Sequence, residues 1–141
     1  MQNTILISSF VKKDCYAITL YKDGQLHSKE VKKLNSEVAE YSSYSKLLYV
    51  IEMAFRLVRK FIEDNGNNYY FVFELNNSTV IKWFDKLYSK PEYEDVFKDA
   101  LMILQELPIR YNFVYNNNPK AKSYLKNTSN IGKVKLQGLD F

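Results

Sequence analysis

The chain contains one cysteine, Cys15, and one histidine, His27, in 141 residues. A lone cysteine excludes an internal disulfide and any cysteine-based zinc cluster, and one histidine leaves too few donors for a zinc site. No stretch approaches the roughly 18 to 20 uninterrupted apolar residues that a membrane span needs. The opening "MQNTILISSFVKKD" has an apolar run too short for a secretion signal, and no basic segment precedes it. There is no Walker loop, no dinucleotide fingerprint and no Ser-His-Asp grouping. Together these absences predict a soluble cytoplasmic protein with no bound cofactor, no metal site and no membrane contact.

What is present argues for one folded domain. The 46% hydrophobic and 16% aromatic content is too high for disorder across most of the chain. The net charge of +4 is unevenly placed. Residues 119–141 hold Lys120, Lys122, Lys126, Lys133 and Lys135 against Asp140, so the remainder is neutral. A basic terminal segment suits contact with nucleic acid or an acidic partner; a solubilising tail is the plainer reading.

Along the chain, "TILISSF" (4–10) reads as a short strand. "CYAITLYKDGQLHSKEVKK" reads as a hairpin, with Asp23-Gly24 supplying the positive φ angles of a tight turn. Period-two alternation puts Tyr16, Ile18 and Leu20 on one face. "SKLLYVIEMAFRLVRKFIED" carries an apolar stripe at helical spacing and ends near Gly66. Glu52 falls on its solvated face, spaced to pair with Arg56. "YYFVFEL" (69–75) is apolar on both faces, as a strand covered on both sides should be. Ser78 is placed to cap the helix "TVIKWFDKLYSK", with Trp83, Phe84, Leu87 and Tyr88 as core. A helix from Pro91 to about Glu106, a strand at 109–115 and a short helix in "KAKSYLKN" follow. The predicted architecture is α/β: a mixed five-stranded sheet, a three-strand antiparallel meander and then alternating helices and strands, with helices on its faces. Residues 1–127 form the domain and 128–141 a basic C-terminal tail.

This order, with "LNNSTVIKWF" at the end of the fourth strand, resembles the ribonuclease H-like family. The resemblance implies that fold and a site of about four carboxylates holding two Mg²⁺ ions, since hard divalent cations want anionic oxygen ligands. The positions that match those carboxylates are Ser8 or Ser9 on the first strand, Lys46 ahead of Leu47-Leu48, Asn76 at the end of the fourth strand, and Lys122 after Ala121. Two neutral residues and two cations would replace four anions. Two unit charges about 4 Å apart interact by about 4 kcal/mol at an effective dielectric near 20, so lysines there oppose Mg²⁺. Glu74, two residues before Asn76, is placed on the same strand face and is the one surrogate ligand. Its plainer role is a strand-end glutamate paired with a lysine.

Three functions follow. The first is a non-catalytic ribonuclease H-like module that binds nucleic acid, or serves as an adaptor to nucleic-acid machinery, through Lys46, Lys120, Lys122, Lys126, Lys133 and Lys135. The second is a phage or host-interaction protein that binds a protein partner only. The third is a divergent Mg²⁺-dependent nuclease that uses Glu74. The end "KLQGLDF" places Leu136, Leu139 and Phe141 on a basic segment. It resembles the C-terminal peptides by which some phage replication and transcription proteins dock onto a sliding clamp. The Asn-, Lys- and Tyr-rich composition fits an AT-rich genome and a phage source. Tyr41, Tyr44 and Tyr49 lie near the expected site and read as packing residues, His27 as a surface residue, and Cys15 as a small buried hydrophobe.

Overall fold

A computed structural model describes residues 3–125. The proposed boundary at 127/128 lies outside that span, as do Lys126, Lys133, Lys135, Leu136, Leu139 and Phe141. Five strands form one mixed sheet: β1 (Asn3–Lys12), β2 (Cys15–Lys22), β3 (Gln25–Lys33), β4 (Tyr69–Leu75) and β5 (Arg110–Tyr115), in the order β3-β2-β1-β4-β5. The first three strands make the expected antiparallel meander, and β4 runs parallel to both β1 and β5. Parallel neighbours require crossovers. Helix α1 (Ser43–Asn65) supplies the first, and α2 (Ser78–Lys86) with α3 (Glu94–Glu106) the second.

Local chemistry accounts for the boundaries. Asp23 and Gly24 take φ of 51° and 86°, the two positive angles of a tight hairpin turn. The β1–β2 turn places Lys13 at φ 58°, which is uncommon for a side chain without a short polar group. Helix α1 starts earlier than its stripe suggests because the Ser42 hydroxyl accepts from the Ser45 amide at 3.3 Å. Gly66, at φ 81°, ends it and donates its amide to the Ile62 carbonyl at 2.7 Å. The cap of α2 is Asn77, not Ser78: its side-chain oxygen accepts from the Val80 amide at 2.9 Å. Only Asn76 separates β4 from that cap. Pro91 opens a short 3-10 turn (Pro91–Tyr93), and α3 follows from Glu94.

All three helices lie on one side of the sheet, here the helical side. Ile5, Ile7, Ile18, Leu20, Phe71 and Phe73 meet Leu48, Ile51, Phe55 and Val58 of α1 there. Phe55 stands edge-on to Phe73 at 5.1 Å, and Phe84 stacks on Phe113 at 5.1 Å. Trp83 and Phe84 are core as expected, but Leu87 and Tyr88 are 55% and 63% exposed. Leu87 ends α2 in a left-handed conformation, so the helical spacing that would bury them stops at Lys86.

The opposite, outer side differs from expectation. Among the described residues its helical cover is the C-terminal 3-10 helix (Lys120–Leu125), which packs on β1 and β2. Phe10, Cys15, Ala17, Ala121 and Leu125 form a small cluster beneath it. Tyr70 and Val72 of β4, which point that way, are only half-buried, so β4 is fully covered on one face alone. No helix among the described residues is long and apolar enough to cross a membrane.

Candidate functional site

The C-terminal end of β1, the β4–α2 junction and the first turn of α1 enclose a cleft of about 230 Å³ lined by Val11, Lys13, Ser43, Lys46, Leu47, Asn76 and Asn77. No carboxylate is among its lining residues. Lys46 is held by the turn opposite: its ammonium donates to the Lys13 carbonyl at 3.1 Å. The left-handed conformation of Lys13 accompanies a carbonyl turned toward α1. An ammonium has three donors, so two remain for a ligand. Asn77 commits its side-chain oxygen to the α2 cap, which fixes the residue at the cleft wall.

A second polar centre lies on the outer side, beneath the 3-10 helix. Ser8 pairs with Glu74 across the β1–β4 register. Both are buried, at 0% and 6% exposure, and the Ser8 hydroxyl donates to Glu74 Oε1 at 2.8 Å. The Lys120 amide donates to the same oxygen at 2.7 Å, and the Asn116 side-chain amide donates to Oε2 at 2.9 Å. The Ala121 amide completes the centre by donating to the Ser8 hydroxyl at 2.9 Å. A buried carboxylate that accepts three hydrogen bonds is well compensated without any cation.

The sequence-derived positions therefore divide. Lys46 and Asn76 come together in the cleft. Ser9 is buried on the Ile7 side of β1, whereas Ser8 and Glu74 belong to the outer centre. Asn76 lines the cleft and Glu74 does not, because the strand ends at Leu75 and period-two alternation ends with it. Glu74 does meet a lysine residue, but through the Lys120 backbone amide and not an ammonium. Lys122 is also on the outer side, its ammonium donating to Asn118 Oδ1 at 3.1 Å and lying 5.7 Å from the Phe10 ring centre. Lys120 lies over the Tyr21 ring at 5.4 Å.

Other candidates take structural places. Glu52 pairs with Arg56 at 3.0 Å along α1. Tyr41, Tyr44 and Tyr49 pack against the core, Tyr44 between Trp83 and Tyr93 at 5.3 Å from each. His27 is exposed and edge-on to Phe61. Cys15 is buried, and that burial, with Asp14 beside it, pushes its thiol up and away from the reactive thiolate. Tyr16 is likewise pushed up, first by burial and then by the Glu30 carboxylate that accepts its hydroxyl at 2.7 Å. Lys13, Lys29, Asn116 and Asn118 carry no recognisable motif, and only the folded chain brings them to these sites.

The donors present do not fit a pair of divalent cations. Among the described residues no three His, Cys, Asp or Glu side chains gather where they can hold a metal ion. The cleft is lined by two asparagines, a serine and two lysines, and the Glu74 carboxylate is turned away and already bonded.

No protein-family model matches the chain, and no curated protein matches it in sequence. Solved structures match it in shape. Ribonuclease H1 from the halophilic archaeon Halobacterium salinarum NRC-1 aligns at 10% identity over 88% of this chain and 90% of its own, with a TM-score of 0.58. The N-terminal RNase H domain of Rv2228c from Mycobacterium tuberculosis aligns at 9% identity over 98% of both chains, with a TM-score of 0.57. LC11-RNase H1, in complex with an RNA/DNA hybrid, aligns at 10% identity over 86% of this chain and 92% of its own, with a TM-score of 0.61. The fold is ribonuclease H-like; identities this low carry the fold and nothing further.

Proposed function

We propose that this chain is a nucleic-acid-binding module on a ribonuclease H-like scaffold, which holds a phosphate backbone at the strand-end cleft without metal-dependent cutting. The observation that carries the reading is the cleft lining: Lys46 and Lys13 stand beside Asn76 and Asn77, with no carboxylate among them. An ammonium fixed by one carbonyl, with two donors left over, suits a phosphate oxygen and repels Mg²⁺. A relative in fold that is seen with an RNA/DNA hybrid makes nucleic acid the natural anion to test. The reading that makes Glu74 a nuclease ligand is weakened because its carboxylate accepts three protein donors beneath the 3-10 helix. The adaptor role through Leu136, Leu139 and Phe141 rests on residues outside the described span, and a phage source rests on composition alone.

The test is binding of labelled single-stranded DNA, duplex DNA and an RNA/DNA hybrid to the full chain, with Mg²⁺ and with a chelator, across a salt series. Binding that is independent of Mg²⁺, weakens with salt and leaves the strands intact is expected. Lys46→Glu should lower affinity at least tenfold by reversing the charge at the cleft. Cleavage that requires Mg²⁺ and disappears in Glu74→Gln would restore the nuclease reading. No binding to any of the three would leave the protein-partner reading.

A further inference from the structure

The outer side offers a second set of cations, and its geometry leads back to the cleft. We propose that the surface around the C-terminal 3-10 helix is a second phosphate-contact surface, which takes up the same nucleic-acid backbone as it passes over the end of β1. This rests on the reading that the cleft holds nucleic acid. Three ammonium groups mark the surface, each seated against a ring: Lys29 over Tyr124 at 4.9 Å, Lys120 over Tyr21 at 5.4 Å and Lys122 over Phe10 at 5.7 Å. Cation–π seating restrains long side chains that would otherwise be freely mobile, so less order is lost when they meet phosphate.

Two of these lysines border a shallow cavity of about 450 Å³, lined by Tyr21, Asn118, Pro119, Lys120, Lys122 and Ser123. No acidic side chain lines it. Glu74 lies beneath, but it holds the Lys120 backbone amide and leaves the ammonium outside. The polar centre therefore fixes the platform without pairing off its charge.

Continuity chooses the occupant. Lys122 sits over Phe10, and the next residue, Val11, lines the cleft on the other side of the sheet. Adjacent strand residues rise about 3.3 Å and face opposite ways, so the two surfaces meet across the end of β1. A linear polyanion bending over that edge contacts Lys46 and Lys13 on one side and Lys122, Lys120 and Lys29 on the other. A ligand confined to one side leaves two or three of these five cations unused.

The deciding measurement is the salt dependence of binding of a labelled 20-nucleotide single strand, comparing the wild-type chain with Lys29→Ala/Lys120→Ala/Lys122→Ala. These substitutions leave the Lys120 backbone amide in place, and an unchanged thermal midpoint confirms that the fold is intact. Each phosphate contact contributes about 0.7 to the slope of log affinity against log salt for single strands, so the slope should shrink by about 2. At low salt the affinity should fall at least tenfold, and the triple arginine variant should bind like wild type. A triple alanine variant with the wild-type slope would overturn the second surface while leaving the cleft reading intact. Loss of poly-glutamate binding with oligonucleotide binding unchanged would assign the surface to an acidic polypeptide and also overturn it. Failure of the wild-type chain to bind any oligonucleotide would remove both readings together.

Discussion

The two sides of the sheet are built on different principles. On the helical side, three helices close over a continuous apolar layer in which Phe55, Phe73, Phe84 and Phe113 meet ring to ring. On the outer side, among the described residues, one short 3-10 helix covers β1 and β2 above a cluster of five residues. It is tied down by directional bonds to Ser8 and Glu74 as well as by the burial of Ala121 and Leu125. Buried area is non-directional and tolerates small shifts, whereas a carboxylate with three donors fixes atoms to a few tenths of an ångström. The helical side thus holds the fold together, and the outer side holds Lys120 and Lys122 in register with it.

Substitutions at three positions separate these contributions. Phe55→Ala should cost about 3–5 kcal/mol by removing a fully buried ring from the helical side, read as a fall in the urea midpoint. A loss under about 1 kcal/mol would mean that the aromatic layer is not the main source of stability. Glu74→Gln should cost about 1–3 kcal/mol, because a carboxamide nitrogen must then face one of three donors. Amide exchange should rise at Lys120 and Ala121 well before it rises at Phe71; an equal rise at all three sites would contradict the division between the sides. Asn77→Ala should cost about 1 kcal/mol through the lost α2 cap. Asn77→Asp should keep the stability but weaken oligonucleotide binding severalfold by placing an anion at the cleft wall; unchanged affinity would move the binding surface elsewhere.

Much of the architecture was legible from local signals. Asp23-Gly24, the α1 stripe and Gly66 announce their turn, helix and stop through backbone preference and period, and these need no knowledge of distant residues. The sheet order follows from a meander joined to crossover units. The details that escaped depend on contacts far apart in sequence. Nothing local shows that Asn77 and not Ser78 reaches back to Val80, since both are good caps. The exposure of Leu87 and Tyr88 follows from a helix that stops one residue before them. The site was half legible: Lys46 and Asn76 meet in the cleft as element order suggests. Glu74 was singled out by strand parity beside a residue that had already left the strand. Lys13 gave no signal, because its role comes from a backbone carbonyl that donates nothing recognisable to a sequence pattern.

The bond between Ser8 and Ala121 spans 113 positions in the chain. During synthesis, β1 and β4 can pair as soon as residue 75 is available, but the carboxylate between them then lacks its partners at 116 and 120. Until those residues arrive, Glu74 has only the Ser8 hydroxyl among its three protein donors. Residues 116–121 bring the other two donors and the Ala121 amide that binds Ser8. The outer polar centre therefore joins the first strand to the last described segment, and it is complete only when nearly all of the described chain is in place.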